Sequence, residues 1–288
     1  MNSVEFLNEV KNSPLCPKKF EEIYAEFCEF QKAALETLME VHRICEKNQI
    51  PYQVTYGSLL GAIRDGTQIP WDYDVDIMVP YEEKANLLDA LKKDLDEKFY
   101  YYCPENHKEC RHVITRVTPV GYRSEALHVD IFYFVGRPDD LEERAQYTKK
   151  IRKLARARYG KLVNIWEETL GDPVAALKLF LRRKLPTIFT SLKQIEKEYN
   201  EICSRYPATK SKYCVSADIS ATGKQIPSEI LWDTKLYDCD FGTVRVPVRY
   251  DELLTLFYRD YRAVPALESR IEEMVRHHKR IKSFREMK

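Results

Sequence analysis

The sequence predicts an α/β (α+β) fold in which helices pack on a small mixed sheet. Three observations predict it: a long helical stripe near the start, two strand-like runs that set aspartates among alternating apolar residues, and enough apolar matter for a sizeable core. Of 288 residues, 44% are hydrophobic and 12% aromatic, and the mean hydropathy is −0.49. That composition excludes a disordered chain. No apolar stretch reaches the roughly 18–20 residues of a spanning helix. Net charge is +1 from 46 basic and 45 acidic residues, a balance with no global field for nucleic acid, so no nucleic-acid partner is expected.

In chain order, Phe20, Ile23, Tyr24, Phe27, Phe30, Ala34, Leu38, Val41 and Cys45 recur at three- and four-residue steps, which predicts a helix from Phe20 to Asn48. Pro51 follows its end, and Tyr52–Tyr56 reads as a short strand closed by Gly57-Ser58. A compact helical turn over Leu59–Arg64 and a turn at Asp65-Gly66 come next. Val75, Ile77 and Val79 alternate with Asp74, Asp76 and Met78, the period of a strand, and Pro80 stops it. An amphipathic helix over 82–98 and strands over 111–118 and 127–135 complete the first half. Further strands are expected near 213–217 and 242–248, with helices near 250–261 and 266–282.

We divide the chain into a catalytic core with its N-terminal helix, 1–140, and a basic helical insertion with a C-terminal region, 141–288. No Gly/Ser linker separates them, so they are expected to form one compact unit. From Arg144 to Lys184 the local charge is +9, leaving −8 on the rest. Residues 1–13 lack the apolar core of a secretory signal. Eight cysteines in that setting read as reduced thiols of a cytoplasmic protein.

The chemistry concentrates in Tyr56-Gly-Ser-Leu-Leu-Gly-Ala-Ile-Arg64 and Ile69-Pro-Trp-Asp-Tyr-Asp-Val-Asp-Ile77. A Gly57-Ser58 turn after a strand lets backbone approach a phosphate, with helix amides pointing at it. Asp74 and Asp76, two apart on a strand, project from one face. Hard oxygen ligands at that spacing suit Mg²⁺, which typically takes one or two carboxylates plus substrate phosphates, with Mn²⁺ as a substitute. Asp130, alone in the apolar run His128-Val-Asp-Ile-Phe132, is the candidate third acid from a neighbouring strand.

These motifs resemble the polymerase-β-like nucleotidyltransferase superfamily and, more closely, the LicD family, which includes bacterial phosphorylcholine transferases and fukutin-related proteins. The segment from Ile44 to Val79 carries the core likeness, Asp130 matches a downstream acid, and Pro247–Pro265 resembles the C-terminal motif, with His277 or His278 where a histidine often stands. The match over 140–240 is loose. Tyr73 stands where many bacterial members have Asp, and Tyr258-Arg-Asp-Tyr261 replaces Tyr-Gly-Asp-Tyr.

The resemblance implies a nucleotidyltransferase core with helical elaboration. It further implies transfer of phosphocholine, or of ribitol or glycerol phosphate, from a CDP-activated donor to a sugar hydroxyl. The acceptor would be a cell-surface glycan precursor, free or lipid-linked, of lipopolysaccharide or teichoic acid type. Mg²⁺ on Asp74, Asp76 and Asp130 would neutralise the diphosphate. Asp130 takes the hydroxyl proton or helps hold a metal, two roles left open. Asp72 would orient a metal-bound water, Gly57 and Ser58 would hold donor phosphate, and Arg64 would pair with it.

Asp72-x-Asp74-x-Asp76 imitates a calcium loop, but Ile77 occupies the place of its obligatory Gly. Cys103, His107, Cys110 and His112 are spaced too tightly for an ordinary zinc knuckle, and a loop with incidental thiols is the better reading. Trp71 reads as a wedge against the core, and Arg64 has a structural alternative as partner of a nearby acid. Among the 19 tyrosines no aromatic box for a choline cation stands out. Val174–Leu185 (VAALKLFLRRKL) resembles helices that lie on anionic membranes at the inner face, against a simpler reading as a solvated basic helix. Two further function classes stay in view: a nucleotidyltransferase moving NMP itself, and a catalytically inactive glycan- or membrane-binding module.

Overall fold

A computed structural model describes residues 1–220 and 224–286. The chain begins with α1 (Ser3–Lys11), where the Asn2 side chain accepts the amides of Val4 and Glu5 and the Glu5 carboxylate accepts the Asn2 amide. Next is α2 (Phe20–Lys47), whose buried stripe runs from Phe20 through Phe27, Ala34 and Leu38 to Cys45, as the spacing requires. The expected strand over 52–56 shrinks to β1 (Gln53–Val54). It is shortened because Tyr56 turns at φ 46° into α3 (Tyr56–Leu60), which runs on through a π-helical turn, Gly61–Asp65.

The sheet is then laid down by β2 (Val75–Pro80), β3 (Phe99–Tyr102), β4 (Thr115–Pro119) and β5 (Val129–Arg137). Between β2 and β3 lies α4 (Lys84–Asp94), shorter than expected and followed by a turn into β3. Strand β3 escaped the sequence reading because Phe99–Tyr102 is half-buried throughout and shows no in–out alternation. The strand expected from 111 begins only at Thr115, since 103–114 is an irregular segment.

The helical layer comprises α5 (Leu141–Leu162), α6 (Ile165–Glu168), α7 (Pro173–Leu179) and α8 (Leu192–Cys203). After it come β6 (Tyr213–Ser216), β7 (Ile226–Pro227), α9 (Ser228–Trp232), the hairpin β8 (Thr234–Cys239) and β9 (Gly242–Pro247), α10 (Tyr250–Tyr258) and α11 (Leu267–Glu286). Strands β7 and β8 were not foreseen.

The main sheet runs β1–β2–β5–β4–β3, with β6 on the far half of β5 and β7 on β6. Among the described pairs, β2 and β5 alone are parallel. That pair sets the site, because Asp76 lies directly opposite Asp130 in its register. The expected mixed α/β sheet is therefore present.

Residues of β5 feed two apolar clusters. Phe134 joins α2 and the C-terminal helix, whose Ile271, Met274 and Ile281 pack in the same core. Val135 joins Tyr147 and Ile151 of α5 with Ile195 and Tyr199 of α8. Among the described residues no helix is long and apolar enough to cross a membrane.

Candidate active site

Burial alternates without a break from residue 71 to 77. Trp71, Tyr73, Val75 and Ile77 are buried, while Asp72, Asp74 and Asp76 are half-buried on the other side. The strand period thus extends ahead of β2 and puts three carboxylates on one face. Trp71 is a core residue, with its ring 5.4 Å from that of Phe6, as expected of a wedge.

Asp130 faces this row from β5 but lives in a different field. Arg116 Nε donates to its Oδ1 at 2.8 Å, and His128 Nε2 lies 3.3 Å away. Burial alone would push the Asp130 carboxyl up, but the Arg116 and His128 charges outweigh it and hold the group far below the usual carboxylate range. Among the described residues Asp76 has no such partner. Burial, then the charges of Asp74, Asp130, Asp72 and Asp218, push its carboxyl well above the ordinary value. Asp72 is raised as well, by burial first and then by Asp74.

Asp218 was missed by the sequence reading. It lies just past β6, buried, and accepts from the Ser216 hydroxyl at 3.0 Å and from the Ser220 hydroxyl at 2.7 Å. The available signal was an acid inside Ser216-Ala-Asp-Ile-Ser220, directly after an apolar strand. Arg116 and His128 were also missed as site residues, although His128 stands two residues before Asp130, on its own face of the run.

The residues expected at the donor phosphate are placed variously. A Cβ at Gly57 would lie 2.8 Å from Asp72 Oδ2, so glycine there makes room for the carboxylate. Ser58 is buried and its Oγ accepts the Asp76 amide at 2.8 Å, fastening α3 to β2. Arg64 is clamped on Asp65, with Nη2 to Oδ2 at 2.7 Å, which is the structural pairing held as its alternative.

The two C-terminal histidines separate cleanly. His278 Nε2 lies 2.7 Å from Glu26 and ties α11 to α2. His277 instead sits edge-on to Tyr73 at 5.0 Å, and its buried Nδ1, 3.8 Å from Asp72 Oδ1, has no hydrogen-bond partner among the described residues. Burial lowers the pKa of His277. Together with Asp74 and Tyr73 it lines a cleft of about 840 Å³ whose α11 wall carries Arg276, Lys279 and Arg280 against one acid, Glu272. An acidic floor beside cationic side chains can seat a hard cation and a phosphate together.

Asp74 and Asp76 fit Mg²⁺ by their oxygen chemistry, and the crowding of like charge around Asp76 is what a cation relieves. Among the described residues no three His, Cys, Asp or Glu side chains are gathered closely enough to form a metal cage alone. Asp130, bound to Arg116, does not complete a triad as it stands. Elsewhere, the thiols of Cys103 and Cys110 are buried, and burial pushes each up to about 11. They accordingly stay protonated at neutral pH.

Residues 49–159 match the LicD/FKTN/FKRP nucleotidyltransferase domain family. The chain is 26% identical over 254 residues to the lipopolysaccharide cholinephosphotransferase LicD of Haemophilus influenzae, covering 83% of this chain and 92% of that protein. It is 44% identical over 55 residues to the ribitol 5-phosphate transferase FKRP of Homo sapiens and of Mus musculus, a match that covers 19% of this chain and 11% of those proteins. The matched region holds Asp72, Asp74, Asp76 and Asp130, together with Gly57 of α3 packed against Asp72, and is similar to the nucleotidyltransferase domain of that family.

Proposed function

We propose that this chain is a phosphotransferase that moves phosphocholine, or a polyol phosphate such as ribitol or glycerol phosphate, from a CDP-activated donor to a sugar hydroxyl of a cell-surface glycan precursor. The observation that carries the reading is the row Asp72, Asp74 and Asp76 facing Asp130 beside a cleft with cationic walls. The likeness to a lipopolysaccharide cholinephosphotransferase over most of the chain supports transfer of a phosphoryl group to a glycan. The preference among headgroups rests on likeness alone.

In this reading each residue acts by its placement. Asp74 and Asp76 would hold Mg²⁺ or Mn²⁺, which when bound supplies neutralisation of the donor diphosphate. Arg276, Lys279 and Arg280 hold the donor phosphates from the α11 wall by charge-assisted hydrogen bonds. Gly57 keeps room for Asp72, and Ser58 holds the Asp76 backbone in register. A carboxylate held as low as that of Asp130 is a weak proton acceptor, which favours a charge-holding role over that of the base. Asp72, raised chiefly by burial and not a metal ligand in this reading, is the stronger acceptor for the attacking hydroxyl's proton.

Thermal-shift measurement with CDP-choline, CDP-ribitol and CDP-glycerol, each with Mg²⁺, tests the donor class. A ligand bound to the native state alone raises its melting temperature by mass action, so one of the three should do so and release CMP when a glycan acceptor is added. No shift with any of them, or an acceptor that gains the mass of NMP, overturns the reading.

A further inference from the structure

Beyond the cleft, the segment from α6 to α8 displays its apolar side chains outward. Val174, Leu177, Leu181, Leu185 and Ile188 are all exposed, at steps of three and four residues, and Phe189 is 100% exposed. Helical spacing makes the first five a continuous stripe. Trp166 and Leu170, also exposed, continue the apolar surface toward the site. Leu170 lines the cleft that holds Asp74 and His277. A soluble monomer rarely leaves so many large apolar residues contiguous without a use for them.

The stripe is held firmly. After α7 the chain runs through a π-helical turn, Phe180–Lys184, and a 3₁₀ turn, Leu185–Thr187. Gly160 of α5 lies so close to the Arg183 carbonyl that no side chain fits between them. The Lys161 ammonium donates to the Ile188 carbonyl at 2.7 Å, and Lys184 donates to that of Val163 at 3.2 Å. Arg111 pairs with Glu168 at 2.8 Å and Arg123 pairs with Glu167, anchoring α6 to the body.

Cations border it. Lys178 and Arg182 are exposed and follow Leu177 and Leu181 by one residue each. Arg182 also lines a groove of about 810 Å³ between α5, this arm and α8, which carries seven Lys and Arg against one acid, Glu198. The Arg156 guanidinium there is lowered by burial and then by the neighbouring charges of Arg183 and Arg152, so the cations crowd one another. An apolar stripe edged by unbalanced positive charge is complementary to one kind of surface: fatty chains below anionic headgroups.

We infer that the 166–189 arm docks this protein on an anionic lipid bilayer, with Leu177, Leu181 and Phe189 entering the interface and Lys178 and Arg182 among the headgroups. Leu170 then brings the cleft mouth to the lipid surface, where a lipid-linked substrate would lie. The docking itself does not depend on the reaction proposed above, because it needs no donor and no turnover.

The test is flotation with vesicles of phosphatidylcholine alone or mixed with phosphatidylglycerol. The full chain is compared with Leu177→Ser/Phe189→Ser and with Lys178→Glu/Arg182→Glu. These side chains are exposed, and circular dichroism melts verify that each variant folds. The parent should float with the anionic vesicles and not with the neutral ones, and each double variant should lose about tenfold or more of its bound fraction. Equal flotation of parent and variants, or of neutral and anionic vesicles, overturns the inference. So does a parent that sediments as a dimer and becomes monomeric in Leu177→Ser/Phe189→Ser, because the stripe would then bind a second copy.

Discussion

The aspartate face of β2 and β5 and the basic surface shared by α5 and the 166–189 arm both concentrate charge of one sign, yet they are built in opposite ways. The acids are half-buried on a sheet whose other side is core, and their charges reach one another. The cations stand mostly in solvent, where repulsion is screened over roughly 10 Å and costs little. The arm instead leaves apolar side chains in water. Each region carries an unfavourable feature that a ligand can relieve, a cation at the first and a lipid surface at the second. The unfavourable group in each case names the chemistry of what would bind.

The largest effect should separate the two regions outright. Asp74→Ala is expected to lower turnover by about 10⁴-fold, or roughly 5.5 kcal/mol of barrier, while Leu177→Ser/Phe189→Ser leaves turnover on a soluble acceptor unchanged. Steady-state assay of CMP release checks both. Comparable losses in the two variants would erase the distinction.

Within the acid face, Arg116→Ala should cost about 3 kcal/mol of folding stability, because it removes the buried guanidinium that holds the half-buried Asp130 carboxylate. Urea denaturation measures this. The facing carboxyls should also titrate with opposite sign. Asp130, depressed, contributes stability above the ordinary carboxylate pKa of about 4 that is lost as pH falls through its folded value. Asp76, raised, makes the ion-free protein less stable as pH climbs from about 4 to its folded value. Asp76→Asn should therefore raise the melting temperature at neutral pH in the presence of EDTA. A lower melting temperature would mean that Asp76 is not repelled.

In the arm, Gly160→Ala forces a methyl against the Arg183 carbonyl and should cost about 1–3 kcal/mol. It should also loosen the arm, read as faster amide exchange over 173–188. Phe189→Ser should change folding stability by less than about 0.5 kcal/mol, since its ring touches water on all sides. A larger loss would place that ring in a contact.

Local periodicity by itself determined α2, the Asp72–Asp76 row and the β5 run around Asp130, because a period of 2 or 3.6 commits each side chain to one side of its element. It pointed equally to a basic, amphipathic 174–185. Tertiary structure decided what charges do once they are side by side. That Arg116 would hold Asp130 in an ion pair depends on β4 lying beside β5, a pairing between residues 14 apart in sequence. In the same way, Arg64 was settled on Asp65, Ser58 on the Asp76 amide, and Asp218 was brought in from beyond β6. The two adjacent histidines parted because successive helical residues point about 100° apart, and α11 shows one to α2 and the other to the cleft. A pattern along the chain records which way a side chain points, whereas its field and partners come from other strands and helices, and those are set only when the sheet closes.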